Sequence, residues 1–152
     1  MSPSGGNPPT RLRFDIPSDF VHGRDVQERI MQAVERHHFT ENAAFAIKLA
    51  LDEAMINAIK HGNKLDPRKR VRIEVEVSDS QADIVVHDQG EGFLREEVPD
   101  PTLEENLEKA GGRGILLIEA YMTRAEWSDH GRRLHMTRRN DDTTVRARES
   151  SS

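Results

Sequence analysis

One long helical segment that is apolar on nearly every side limits what this chain can fold into. Residues 41–61 follow Thr40, a typical helix-capping residue, and their apolar positions recur around most of the helix circumference. A helix of this kind must be covered on several sides, so we expect it at the centre of the domain. Among its polar residues, Glu53, Asn57 and His61 recur at four-residue spacing, which places them on one stripe. The stripe predicts either hydrogen-bonded core residues or a binding site inside the fold.

The segments around this helix are shorter and predict a sheet with two further helices. Alternating or short continuous apolar runs indicate strands, and apolar residues at helical spacing indicate helices. We predict strands over residues 11–16, 71–77, 82–86, 124–128 and 132–138, and helices from Ser18 or Asp19 to about His37 and over 115–122. Elements in this order predict an α+β fold, a two-layer sandwich in which a mixed or antiparallel sheet carries its helices on one face.

Length and composition favour one intracellular domain. The 152 residues suit one hydrophobic core, which we place at residues 10–139; the flanks 1–9 and 140–152 are polar and expected to be flexible. The absence of cysteine excludes a thiolate zinc site and a cysteine nucleophile, and it fits a reducing cytoplasm. No stretch approaches the ~20 apolar residues of a membrane-spanning helix, and the net charge of −5 disfavours nucleic acid as a partner. We therefore expect a cytoplasmic protein that binds neither membrane nor nucleic acid.

Two glycine-rich segments flank a long polar connection. Asp88, Gly90 and Gly92 directly follow an apolar strand, so a carboxylate stands where the backbone turns and can approach a ligand. Residues 111–114 read Gly-Gly-Arg-Gly and open a helix, whose free amides and dipole favour phosphate. The connection between them, with one possible short helix at 103–109, is long enough to act as a lid. Each feature taken alone is also compatible with an ordinary turn, hinge or cap.

Taken together, the stripe and the two glycine segments resemble the motifs of a known ATPase superfamily. A P-loop is absent from the sequence, and Gly90-x-Gly92 lacks the third glycine of a dinucleotide-binding loop. Residues 51–62, 88–93 and 112–114 resemble the N-box and the two glycine boxes of the GHKL (Bergerat-fold) ATPases, and the resemblance covers about residues 11–139. It implies the histidine-kinase-like ATPase fold, with ATP and Mg²⁺ as cofactors.

The same resemblance implies roles for the residues of the three motifs. Glu53 would be the general base, Asn57 would bind the magnesium ion, and Asp88 would accept a hydrogen bond from the adenine amino group. Magnesium prefers oxygen ligands and a carboxylate can accept a proton, which agrees with these roles. The other nucleotide-binding residues that the resemblance implies are His61, Gly90, Gly92, Gly112, Arg113 and Gly114, with Lys109 as a substitute phosphate contact where Ala110 replaces a frequent arginine.

Within the superfamily, the chain resembles the anti-sigma-factor serine kinases of the RsbW type in its small size and in the sequence of its N-box. This resemblance implies a kinase that phosphorylates a serine on an anti-anti-sigma (STAS-type) partner and otherwise sequesters a sigma factor, usually as a homodimer. The alternative is a regulatory binding module of the same fold, in which the nucleotide sets the affinity for a partner without phosphotransfer. We do not expect a complete histidine kinase, because only one strand and one helix are predicted before the central helix.

Several charged and aromatic residues outside the motifs have simpler interpretations. The adjacent His37 and His38 are expected to be exposed to solvent and not to form a metal site. The arginine pairs 132–133 and 138–139 are expected on the solvated face of an edge strand. Tyr121 and Trp127 are expected in the core or in an interface, not as binding platforms.

Overall fold

The computed structural model of the protein describes residues 7–92 and 112–140. The possible helix at 103–109, the proposed lid and Lys109 lie outside these ranges, as do most of the residues expected to be flexible ends. The described elements are β1 (Thr10–Pro17), α1 (Phe20–Arg36), α2 (Glu41–Ile56), a π-helical segment (Asn57–Gly62), β2 (Arg70–Val77), β3 (Gln81–His87), α3 (Gly112–Tyr121), β4 (Arg124–Ser128) and β5 (Arg133–Arg139).

The five strands form one sheet in the order β1, β2, β3, β5, β4, and every described strand pair is antiparallel. Alternate residues of each strand face the helices; Ile84 of β3, for example, pairs with Val75 of β2 and Met136 of β5, and all three are buried. The other face carries cross-strand ion pairs such as Arg13 with Glu74 at 2.9 Å. The predicted α+β sandwich with helices on one face is therefore confirmed.

The helix α2 occupies the centre of the domain, as its composition predicts. Its buried residues join one core cluster with residues of α1, α3 and the sheet, including Ile30, Ile73 and Ile118. The helix begins where predicted, because the Thr40 hydroxyl accepts a hydrogen bond from the Ala43 amide at 3.1 Å. Asp19 caps α1 in the same way through the His22 amide. None of the helices in the described part of the chain is long and apolar enough to cross a membrane.

The end of the central helix differs from the regular α-helix that its spacing predicts. The α-helical pattern stops at Ile56, and residues Asn57–Gly62 continue as a π-helix. The amide of Asn63 accordingly bonds the carbonyl of Ala58, five residues earlier, at 2.9 Å. Such widened turns are uncommon and occur frequently at functional sites. Here the widened turn contains two of the three residues of the polar stripe, Asn57 and His61.

A buried histidine corrects the expectation of solvent exposure at the end of α1. His37 is 1% exposed, whereas His38 is exposed as expected. The Nδ1 of His37 donates to the Asp79 carboxylate at 2.7 Å, and its Nε2 pairs with the Thr10 hydroxyl at 2.8 Å. Asn140 joins this corner by donating to the Asp79 carbonyl at 2.9 Å. The imidazole is buried because both ring nitrogens have partners there.

The position of β5 corrects a second expectation. This strand lies between β3 and β4, so it is not an edge strand, and alternate side chains point into the core. Arg138 is on the inner side with 1% exposure, and its guanidinium donates to the carbonyl of Tyr121. Arg139, its neighbour, is exposed as expected. Sequence alternation alone could not show this, because it does not tell which strands have a partner on both sides.

Candidate nucleotide-binding site

A cavity of about 190 Å³ opens between the π-helical segment, the end of β3 and the turn that joins β4 to β5. It is smaller than the roughly 300–1,000 Å³ of sites that enclose a whole small ligand, so it accommodates part of a ligand. Of the predicted site residues, Asn57, His61, Asp88 and Gly92 line this cavity. The sequence motifs on α2 and after β3 therefore converge in space.

Asp88 lies at the base of this cavity. Its backbone amide donates to the carbonyl of Arg132 at 3.0 Å, and its carboxylate accepts from the amide of Gly90 at 2.8 Å. Burial raises the pKa of Asp88 to about 6, although the Gly90 hydrogen bond and the charges of His87, Arg132 and Lys69 act in the opposite direction. Near neutral pH the carboxylate is mostly ionised, so its oxygens can accept a further hydrogen bond from a ligand.

The glycine loop, residues 88–92, is packed too tightly for side chains. A Cβ on Gly90 would lie 2.1 Å from the carbonyl oxygen of Gly62, and one on Gly62 would lie 2.7 Å from the Asp88 carboxylate. Gly92 has φ +83°, and a Cβ there would lie 2.2 Å from the carbonyl oxygen of His130. The loop is thus held between the helix end on one side and the β4–β5 turn on the other.

A buried asparagine that the motifs do not include supports the loop. Asn63 has no exposed surface, and its side-chain oxygen accepts from the amide of Gln89 at 2.7 Å. Its side-chain nitrogen donates to the Ser18 hydroxyl at 2.8 Å and to the Arg70 carbonyl at 3.0 Å. All three of these polar contacts connect separate elements, so Asn63 fixes the loop to the helix end. Its only sequence signal is its position after Gly62, which is typical of a simple helix stop.

The start of α3 brings the third motif to the same helix. A Cβ on Gly114 would lie 3.0 Å from the carboxylate of Glu53 and 3.4 Å from the amide nitrogen of Asn57. Burial and the neighbouring Asp52 raise the pKa of Glu53, and Arg113 acts against this rise. Arg113 is therefore close enough to influence Glu53, and the first turn of α3 faces the polar stripe of α2. Gly112 begins this helix.

His61 and the apolar residues complete the cavity. Burial lowers the pKa of His61, and the ammonium groups of Lys60 and Lys64 lower it further, so the imidazole is neutral at physiological pH. The apolar part of the lining suits a flat aromatic ligand and includes Ala54, Val86, Trp127 and Leu134. Trp127, expected in the core or an interface, packs against the core and also forms one wall of this cavity.

A comparison with known protein families matches this arrangement. The histidine kinase-like ATPase domain matches residues 16–138, so the chain belongs to that family of ATP-binding domains. The serine-protein kinase RsbW of Bacillus subtilis is 27% identical over 92% of this chain and 96% of its own length. The corresponding kinase of Bacillus licheniformis is 31% identical over 69% of this chain and 74% of its own length.

Further relatives agree with this placement. An anti-sigma F factor of Clostridium perfringens is 37% identical over 53% of this chain and 59% of its own length. A solved structure of the RsbU and RsbW domains of a Mycobacterium tuberculosis protein superimposes with a TM-score of 0.60 over 91% of this chain. Its identity is 16%, which supports the fold, and the matched part is 34% of that longer chain. The matches confirm the predicted family, ATP-binding serine kinases of the anti-sigma-factor type.

Proposed function

We propose that this chain transfers the terminal phosphoryl group of magnesium-ATP to a serine of an anti-anti-sigma protein, with Glu53 as the general base. The observation that carries the proposal is the contact between the polar stripe and α3: Glu53 and Asn57 both face Gly114 at the start of that helix. A helix start with free amides is a favourable position for phosphate. A base and a metal ligand are thus adjacent to the place where phosphate would lie.

The residues present fit ATP and magnesium. Asn57 offers an amide oxygen, which is a ligand that Mg²⁺ accepts together with water and phosphate oxygens. Asp88 offers a buried acceptor beside an apolar wall, which suits the amino group and ring of adenine. Magnesium, when bound, neutralises charge on the phosphate oxygens and orients them for transfer. His61, Gly90 and Gly92 would border the nucleotide, and Gly112, Arg113 and Gly114 would contact its phosphates.

The transfer step requires one proton acceptor. Glu53 takes the proton of the serine hydroxyl as the serine oxygen bonds to phosphorus and the bond from phosphorus to the departing ADP oxygen breaks. Arg113, at the start of α3, stabilises the negative charge that develops on the transferred group. The raised pKa of Glu53 makes it a stronger base than an exposed carboxylate. The transfer rate should accordingly increase as the pH rises through this pKa.

The proposed partners follow from the relatives. Their names describe serine-protein kinases and anti-sigma factors, so we propose that this chain binds a sigma factor and a STAS-type anti-anti-sigma protein. We further propose a cytoplasmic location, since both partners act in transcription. A homodimer is also proposed, and light scattering of the purified chain measures its mass directly.

The test compares three variants with the wild-type chain, using purified STAS-domain proteins of the source genome as acceptors. Glu53→Gln should bind magnesium-ATP as wild type does in calorimetry but lower the transfer rate about 100-fold or more, measured as phosphate mass added to the acceptor. Asn57→Ala should weaken magnesium-ATP binding itself. Asp52→Asn is the matched control, because this neighbouring carboxylate is turned towards Gln27 of α1. It should leave magnesium-ATP binding unchanged and retain transfer, with the acid limb of the transfer rate shifted to lower pH because Asp52 raises the pKa of Glu53.

Each outcome decides between the candidates. Transfer at the wild-type rate by Glu53→Gln would remove Glu53 from the mechanism. If no acceptor gains phosphate from wild type while magnesium-ATP still binds, the chain is the nucleotide-gated binding module and not a kinase. Unchanged magnesium-ATP binding by Asn57→Ala would refute the metal-binding role of Asn57.

A further inference from the structure

We propose that Arg132 is a positioning residue of the nucleotide site, which holds the glycine loop against the β4–β5 turn and thereby sets the preference for adenine. The inference rests on the proposed function, because it needs Asp88 to contact the base. Arg132 lines the cavity and its side chain is 30% exposed. The sequence predicts it only as an arginine on the solvated face of an edge strand.

The contacts of Arg132 join two segments that lie about 40 residues apart in sequence. Its carbonyl accepts the Asp88 amide at 3.0 Å. Its Nε donates to the Gly90 carbonyl at 2.8 Å, and its Nη2 donates to the Glu91 carbonyl at 3.3 Å. Its Nη1 donates to the carbonyl of Asp129 at 3.1 Å and to its carboxylate at 3.3 Å. One guanidinium group therefore holds two carbonyls of the loop, together with the carbonyl and one carboxylate oxygen of Asp129.

This arrangement needs the shape of arginine as well as its charge. The guanidinium carries five N–H donors in a fixed plane, whereas a lysine ammonium is a point charge on a flexible chain. No ammonium could bond Gly90, Glu91 and Asp129 in the same directions. The turn itself is in the left-handed region at Asp129, His130 and Gly131, so it gains its fixed position from such contacts.

The base preference follows from where the loop places Asp88. An ionised carboxylate accepts from the adenine amino group but repels the carbonyl oxygen that guanine has in the same place. Discrimination between adenine and guanine therefore requires the carboxylate to be held in one position. Arg132 holds the loop that continues from this carboxylate. The charged groups that act on Asp88 are His87, Arg132 and Lys69. The other titratable groups lining the cavity are His61, Lys64 and Glu91.

The experiment separates the shape of Arg132 from its charge. Magnesium-ATP and magnesium-GTP affinities are measured by calorimetry between pH 5.5 and 8 for wild type, Arg132→Lys, Arg132→Gln and the control Arg133→Gln. Arg133 is a suitable control because it follows directly and faces the opposite side of the sheet from the buried Leu134. Both Arg132 variants should lower the ratio of ATP to GTP affinity about tenfold, and the control should not change it.

The pH profile provides the readout that a purely structural role would not move. Arg132→Gln removes a charge that lowers the pKa of Asp88, so the acid limb of ATP binding should shift to higher pH. Arg132→Lys keeps the charge, so it should lose the base preference while the acid limb stays in place. If Arg132→Gln does not fold, shown by loss of its thermal transition, Arg132→Lys alone tests the role of the guanidinium shape.

Two results would overturn the inference: a wild-type ratio of ATP to GTP affinity in both variants, or an equal loss of affinity for both nucleotides. Asp88→Asn, measured in parallel, keeps this outcome distinct from failure of the proposed function. If Asp88→Asn retains the preference for ATP, the adenine role of Asp88 is wrong whatever Arg132 does. If Asp88→Asn loses the preference and the Arg132 variants keep it, only the positioning role fails.

Discussion

The cavity has two walls that are stabilised in different ways. The helix wall, Asn57–Gly62, continues from α2, whose inner residues lie in the middle of the core. The turn wall, residues 127–132, projects from the end of the β4–β5 hairpin, and three of its residues have left-handed backbone conformations. Side-chain hydrogen bonds such as those of Arg132, and of His87 with Asp129 at 2.9 Å, hold it in place.

This difference indicates that the two walls have different roles in the site. A wall embedded in the core moves only if the core moves, whereas a hairpin end held by a few hydrogen bonds can shift at low cost. The helix wall carries Asn57, the residue proposed to bind the metal, where geometry must be strict. The turn wall borders the region proposed for the base. Three experiments test this contrast, and they are given from the largest expected effect to the smallest.

Alanine at Gly90 and at Gly92 compares the two walls directly. The new Cβ atoms would overlap a backbone carbonyl by similar amounts, at 2.1 Å from Gly62 for Gly90 and at 2.2 Å from His130 for Gly92. Because the helix wall cannot yield, we expect Gly90→Ala to weaken magnesium-ATP binding about 100-fold and to lower the unfolding free energy by about 2 kcal/mol. Gly92→Ala should weaken binding about tenfold, since the turn can retreat. It should also lower the unfolding free energy through the left-handed φ of +83° at this position, a backbone cost that Gly90→Ala does not have.

Calorimetry and urea unfolding of the two variants measure these effects. Gly23→Ala of α1 serves as the control, because its Cβ would meet only the ends of the Ile59 and Met55 side chains, at 3.1 and 3.2 Å, and Gly23 does not line the cavity. Equal losses of magnesium-ATP affinity in the Gly90 and Gly92 variants would show that the two walls are equally rigid and would contradict the proposed difference.

The next substitution, Asp88→Asn, tests how much the buried charge of Asp88, next to the helix wall, lowers the stability of the fold. The folded-state pKa of about 6 lies above the unfolded value of 3.8, so Asp88 favours the folded state below pH 3.8 and loses this contribution as the pH rises through 6. Without nucleotide, the variant should therefore be more stable than wild type by about 2 kcal/mol at pH 7.5 and should have no advantage at pH 3.5.

Urea unfolding at the two pH values measures this difference. Asp129→Asn on the turn wall is the contrasting control, because the hydrogen bond from His87 lowers the pKa of Asp129 and its loss should not stabilise the protein. A gain of stability for Asp88→Asn that does not depend on pH would mean that buried charge is not its cause.

The smallest effect is expected at Trp127, the only tryptophan of the chain. Because it lines the cavity on the turn wall, its fluorescence should change when magnesium-ATP binds. Trp127→Phe keeps an aromatic ring and should change the affinity by no more than about threefold while removing the signal. An emission spectrum that stays constant up to saturating nucleotide would place the ligand away from this wall.

The helix wall could be predicted from the sequence, and the turn wall could not. The stripe of Glu53, Asn57 and His61 is visible because helical spacing is regular, and the glycines after β3 mark a close approach of backbones. The π-helical turn has no such signal, because it changes hydrogen bonding without changing the residue pattern. The role of Arg132 has no sequence signal either, because its acceptors in the glycine loop are backbone carbonyls, which any sequence would supply.

The burial of charged and polar residues was the other part that the sequence could not show. His37 and Arg138 look like surface residues because their types are usually exposed. Their burial depends on partners from distant segments, Asp79 in one case and the carbonyl of Tyr121 in the other. Such partners become visible only when the strands are placed side by side.

The corner around His37 has a consequence for where the chain enters and leaves the unit. Thr10 begins β1 and is linked to Asp79 through His37. Asn140 follows β5 and donates directly to the Asp79 carbonyl. Asp79 precedes β3 and Asp88 follows it, so this corner is at the opposite end of the strand from the nucleotide. The backbone that enters β1 and the backbone that leaves β5 therefore meet at this corner, and neither has to cross the cavity.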